Sequence, residues 1–94
     1  MEKQDKITKQ KIDKYRKLTS KALKLAEKSI VKGKEQEAHE ILEMVSCYLQ
    51  DASYFEKQGH LVNCFACLNY AHGWLDCGAR LKIFNVKDRK LFTV

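Results

Sequence analysis

The chain has 94 residues, enough for one domain with its own core and too few for two. Apolar residues make up 45% of it and charged residues 32%, the balance of a globular chain and not of a disordered one. Having no Pro and four Gly argues against many short strands joined by turns, and no apolar run approaches the ~20 residues of a membrane span.

Met1-Glu2-Lys3-Gln4-Asp5-Lys6 lacks the apolar stretch of a signal peptide. The expected location is therefore cytoplasmic, with Cys47, Cys64, Cys67 and Cys77 as reduced thiols and no membrane partner. The net charge of +6 is unevenly placed. Residues 1–34 hold twelve Lys/Arg against four Asp/Glu, and residues 35–94 hold six against eight, which assigns the basicity to the first segment.

A first helix is predicted over about residues 4–31, with Ile7, Ile12, Tyr15, Leu18, Ala22, Leu25, Ala26 and Ile30 as an apolar stripe at helical spacing. Lys14, Lys17, Lys21, Lys24 and Lys28 line its other side. Lys32-Gly33-Lys34 ends it, with Gly33 as a left-handed C-cap. The second helix is predicted over about 35–57, its acidic first turns (Glu35, Glu37, Glu40) suiting the positive end of the dipole. It buries Ala38, Ile41, Leu42, Val45, Tyr48, Leu49, Ala52 and Phe55.

Lys57-Gln58-Gly59-His60 breaks the chain before a third helix over about 61–81. One face of that helix carries Leu61, Cys64, Phe65, Leu68, Ala71, His72, Leu75 and Ala79. Cys67, Tyr70, Trp74 and Leu81 form a second apolar patch, and Asn69, Gly73, Asp76 and Arg80 a narrow polar strip. A helix apolar over most of its circumference is covered from more than one side, which makes it the central element. Gly73 and Gly78 each cost ~1 kcal/mol against Ala inside a helix, so close packing is expected at both. Residues 83–94 read as an extended strap or small β-hairpin around Lys87-Asp88-Arg89-Lys90, docked on the patch around Trp74.

Four groups of residues are candidates for function. The lysines at 14, 17, 21, 24 and 28 could track phosphates of a nucleic acid, yet lysine also fills ordinary solvated helix faces. His60, Cys64 and Cys67, with Cys47 or Cys77 as a fourth, share zinc-ligand chemistry, but there is no second Cys pair and buried thiols at Ala-like positions explain the same letters. No metal and no cofactor is therefore assigned. His72, Asp76 and Arg80 follow one another at i,i+4, a row that serves proton transfer or a plain surface ion pair; no nucleophile stands beside the His, so no catalytic residue is assigned. Tyr54, Tyr70 and Trp74, joined by Asp76 and Arg80, form a candidate partner-binding face, with self-association open to it if the strap leaves Trp74 uncovered.

Tyr48-Leu49-Gln50-Asp51-Ala52-Ser53-Tyr54-Phe55, Gly59, Val62-Asn63 and above all Tyr70-Ala71-His72-Gly73-Trp74-Leu75-Asp76 resemble the archaeal domain of unknown function 357 family. The resemblance continues through Gly78-Ala79-Arg80-Leu81 and Phe84 to Leu91-Phe92-Thr93-Val94, covering roughly residues 15–94. It implies a three-helix bundle of the immunoglobulin- or albumin-binding-domain-like kind, an archaeal cytoplasmic origin and no established activity. It carries over no catalytic or binding residues. The family pattern resembles Ala where this chain has Cys64, Cys67 and Cys77, which lowers the metal reading further.

The expected fold is thus an all-α, antiparallel three-helix bundle with a C-terminal strap. The expected function is a non-enzymatic protein-interaction module that binds a protein partner or a second copy. The alternative is a nucleic-acid accessory protein acting through the lysines of the first helix.

Overall fold

The computed structural model describes residues 6–93, so the predicted helix start at residue 4 and the strap's last residue, Val94, lie outside the description. Three helices run antiparallel in sequence: α1 Lys9–Glu27, α2 Glu35–Lys57 and α3 Leu61–Arg80. The all-α three-helix architecture expected from the periodicity is the one found. Among the described residues, the sole strand-like pairing is an isolated antiparallel bridge between Ile30 and Phe84.

Local chemistry sets the helix ends. Thr8 caps α1, its hydroxyl oxygen accepting from the Lys11 amide at 3.1 Å. The α1 helix stops at Glu27, four residues short of the predicted end. The chain leaves it because residues 29–31 pair with the tail: the Val31 amide donates to the Ile83 carbonyl at 2.9 Å and the Asn85 amide to the Ser29 carbonyl at 2.7 Å. Gly33 is left-handed, as expected, but lies in the loop and is not the α1 cap. The first turn of α2 carries Glu35 and Glu37, and the Glu35 carboxylate accepts from the Gly33 amide at 2.9 Å.

The helices α2 and α3 end in the same motif with different residues. After α2 the Gly59 amide donates to Glu56 and the His60 amide to Phe55; after α3 the Lys82 amide donates to Ala79 and the Ile83 amide to Gly78. The left-handed residue is Gly59 in the first case and Lys82, at φ 60°, in the second. A residue with a Cβ holds that conformation at a cost of about 1–2 kcal/mol.

The bundle is flattened, 45 × 29 × 16 Å, with α3 packed against both other helices while α1 and α2 barely meet. Small residues let the helices approach: Ala22 and Ala26 on α1, Ala38 on α2, and Ala71, Gly78 and Ala79 on α3 are all buried. The larger core cluster adds Ile41, Val45 and Leu75 and is completed by Ile83, Phe84, Val86 and Phe92 of the tail. A smaller cluster of Ile12, Ala52, Cys64, Cys67 and Leu68 fills the opposite end, with the Tyr15 and Phe65 rings edge to face at 5.1 Å beside it.

Of the two forms expected of the tail, strap or hairpin, residues 83–93 do not form the hairpin, because their two apolar runs have other partners. The first run bridges to the α1–α2 loop. The charged residues between them do make a turn, with the Asp88 carboxylate accepting from the Lys90 amide at 2.8 Å and its carbonyl from the Phe92 amide at 3.0 Å. Nor does the tail dock on the Trp74 patch. It lies along α1 and the His72 side of α3, where Ile83, Phe84, Val86 and Phe92 join the larger core cluster.

Gly78 shows the close approach that was expected of it. A Cβ there would fall 2.4 Å from Cε2 of Phe84, a ring only 1% exposed, and 3.2 Å from Cδ1 of Ile41. Gly73 does not: nothing lies within 4 Å of the corresponding point.

Candidate functional site

The helix α3 has more apolar circumference than α1, α2 and the tail can cover, so one long face of it stays open. Val62, Tyr70, Trp74 and Leu81 are 69%, 62%, 37% and 62% exposed. Ala66, Asn69, Gly73 and Cys77 lie among them, making a shallow groove whose walls are Tyr70 and Trp74. The wall at Tyr70 is braced, its ring stacked on Tyr48 of α2 at 5.4 Å and 20°.

The opposite side of α3 holds a polar clasp. His72 Nε2 lies 2.7 Å from the Leu91 carbonyl, which can only accept, so Nε2 carries the proton and donates. In the neutral ring the other nitrogen, Nδ1, accepts from the Thr19 hydroxyl at 3.1 Å. Thr19 is 1% exposed and belongs to α1, so one imidazole ties α1, α3 and the tail together. One turn further on, Asp76 accepts from the Thr93 amide at 2.9 Å and the Thr93 hydroxyl at 3.3 Å. The His72 and Asp76 side chains approach to 3.8 Å.

The partner-binding candidates therefore separate. Tyr70 and Trp74 share the open groove. Asp76 is half-buried and occupied with the tail. Arg80 is exposed at the C-terminal end of α3. Tyr54, 60% exposed, sits edge-on to Phe55 and borders a different concavity with Arg16 and Ser53. Lys14, Lys17, Lys21, Lys24 and Lys28 are all exposed, and none forms an ion pair among the described residues.

The thiols divide in the same way. Cys47 and Cys77 are exposed, whereas Cys64 and Cys67 are core residues. Burial pushes the Cys64 thiol above its ordinary value of 9.0, partly countered by the Arg16 guanidinium, whose Nη2 lies 3.8 Å from Sγ. Burial likewise raises Cys67, helped by the negative charge of Asp51. His60 is exposed and packs by its ring near Phe55, away from a shared ligand position with the two thiols. Among the described residues no group of three His, Cys, Asp or Glu is placed to share an ion.

Two features of this surface escape sequence reading. Thr19 has no signal, being one of many polar letters in a Lys-rich helix. Lys82 has a faint one, since it follows a helix end at the position that Gly usually takes.

The family model described as a protein of unknown function, DUF357, matches residues 14–84. The chain belongs to that family. The DUF357 match takes in all of α2 and α3, most of α1 and the residues up to Phe84, and leaves Leu91-Phe92-Thr93 outside it. No curated protein and no solved structure matches this DUF357 chain. Among the described residues no helix is long and apolar enough to cross a membrane.

Proposed function

We propose that this DUF357 protein is a non-enzymatic interaction module whose open α3 face receives an amphipathic helix of a protein partner. The observation that carries the reading is Gly73. It sits inside an exposed stretch of helix, costs ~1 kcal/mol against Ala, and no atom of its own chain uses the space left by its missing side chain. A partner helix lying between Tyr70 and Trp74 would use it, as ridges of one helix seat into grooves of another. Val62 and Leu81 lie 19 residues apart in the sequence, about 28 Å along a helix, long enough for several turns of a partner. The two polar residues that chemistry would recruit first, His72 and Asp76, are spent on holding the tail, which supports a binding role over a catalytic one.

The test uses Trp74, the one Trp in the chain, as its own reporter. Wild-type protein and a Tyr70→Ala/Trp74→Ala variant of equal helical content serve as baits in extract from the source cells. Stoichiometric capture of a protein by wild type alone, whose purified form shifts Trp74 emission to the blue, is the expected result. Equal capture by both baits overturns the reading. Concentration-dependent dimerisation lost in the variant would identify the partner as a second copy.

A second reading, a nucleic-acid accessory protein, is favoured by the exposure and lack of ion pairing of Lys14, Lys17, Lys21, Lys24 and Lys28. Charge reversal at Lys17, Lys21 and Lys24 would remove its binding if that helix face were the contact.

A further inference from the structure

Folding gathers charge that the sequence keeps apart. The α1–α2 loop and the residues after α3 meet through the Ile30–Phe84 bridge, and a cleft of about 1010 Å³ opens between them. Lys28 and Lys32 line it from one segment; Arg80, Lys82 and Lys87 line it from the other. No carboxylate lines it. Of the nearby acids, Glu35 accepts from the Gly33 amide, Glu37 pairs with Lys34 and Asp88 holds its own turn, while Glu27, beside Lys28, is exposed and lies outside the lining. Among the described residues none of the five cations forms an ion pair.

Helix ends explain part of this. Both α1 and α3 terminate at the cleft, and their free carbonyls favour cations. Two helix ends amount to about one negative charge in total, however, so five cations leave a large excess. The conformation of Lys82 adds an independent observation. The chain places a lysine in a left-handed cap where Gly would be more stable, as it does use Gly in the same motif after α2. Strained non-Gly residues of this kind concentrate at functional sites.

We propose that this cleft binds the phosphodiester backbone of a nucleic-acid duplex. A concave site with five unneutralised cations suits phosphates. Its one aromatic ring, Phe84, is buried, so the cleft offers no aromatic platform for an unpaired base, which favours a duplex over a single strand. Asn85 carries the one side-chain amide lining the cleft, and the five cations are suited to phosphates, so recognition follows the backbone and not the base sequence. The exposed α1 lysines lead away from the cleft at Lys28, offering a continuation for the strand. This site lies at one pole of the bundle and does not depend on the α3 groove.

The test is fluorescence anisotropy with labelled 20-base-pair duplexes of RNA and DNA, single-stranded RNA of the same sequence, and vesicles of phosphatidylglycerol and phosphatidylcholine. The expected result is duplex binding that falls steeply with salt, by about 0.9 log units of affinity per log unit of salt for each phosphate contacted. Lys82→Gly is the decisive variant, because it should raise the melting temperature while weakening duplex binding at 50 mM salt about three- to tenfold. Lys32→Gln/Lys87→Gln should weaken binding about tenfold or more, while Lys57→Gln, at the other pole, and the Tyr70→Ala/Trp74→Ala variant should leave it unchanged. Either duplex, RNA or DNA, satisfies the proposal. No duplex binding at 50 mM salt, cleft variants that bind like wild type, a larger loss from Lys14→Gln/Lys17→Gln/Lys21→Gln, or tighter binding of single strands or vesicles would each overturn it.

Discussion

Adding one methyl group at each of the two α3 glycines should move stability in opposite directions. At both positions Ala is the better helix former by ~1 kcal/mol. At Gly73 nothing opposes that gain, since no heavy atom lies within 4 Å of the new Cβ. Gly73→Ala should therefore stabilise by about 0.5–1 kcal/mol, a rise of roughly 3–6 °C in Tm for a domain of this size. At Gly78 the Cβ would fall 2.4 and 2.5 Å from two atoms of the Phe84 ring. That ring is 1% exposed and its backbone is bridged to Ile30, so it can yield only by moving the tail. Overpacking of this severity costs about 2–3 kcal/mol, which outweighs the propensity gain and leaves a net loss of about 1–2 kcal/mol. Tm should fall by about 5–15 °C. Thermal and urea unfolding followed by circular dichroism at 222 nm read both variants, and Phe84→Leu in the Gly78→Ala background should recover part of the loss. If Gly78→Ala raised Tm as Gly73→Ala does, the claim that Phe84 is seated against α3 would be wrong.

Thr19→Val leaves Nδ1 of His72 without its donor in a closed environment and should cost about 1–2 kcal/mol in urea unfolding, whereas Ser20→Ala next to it should be near neutral. Asp76→Asn should make the Thr93 amide exchange faster in hydrogen-exchange experiments while α2 amides keep their protection. Thiol titration with an aromatic disulfide should find two fast groups, Cys47 and Cys77, and two that react only on opening, Cys64 and Cys67. Because burial holds the Cys64 and Cys67 protons more firmly in the folded state, the unfolded chain releases them first, and stability should decline as pH rises past the ordinary thiol value of 9.0. A Cys64→Ala/Cys67→Ala variant should lose that slope.

Helix spacing made the bundle readable. The apolar positions of α2 and α3 fall where the 3.6-residue period puts them, and both predicted spans differ from the observed ones by at most one residue. The end of α1 was not readable, because Ser29, Ile30 and Val31 continue a good helical pattern and are drawn out of it by residues more than fifty positions away. The same cause hid the course of the tail. A β-branched and aromatic run announces an extended segment, but where it docks depends on how all three helices pack around Phe84 and Phe92. The count over residues 35–94 conceals a second basic cluster: five of its six cations lie between 80 and 90, offset by the acids of α2. The apolar patch around Trp74 is legible in the sequence, whereas its staying open depends on Phe84 and Phe92 being accommodated in the larger core cluster instead.

The near absence of contact between α1 and α2 sets an order of events for a chain that grows from its N-terminus. As α2 and α3 emerge they can close on one another across a three-residue loop. As it emerges, α1 has no such neighbour: Thr19 waits 53 residues for His72, and the fit is finished only when Leu91 arrives behind it. During synthesis α1 is therefore a basic amphipathic segment with its apolar side uncovered, the part of this protein with most to gain from a chaperone and most exposed to a protease.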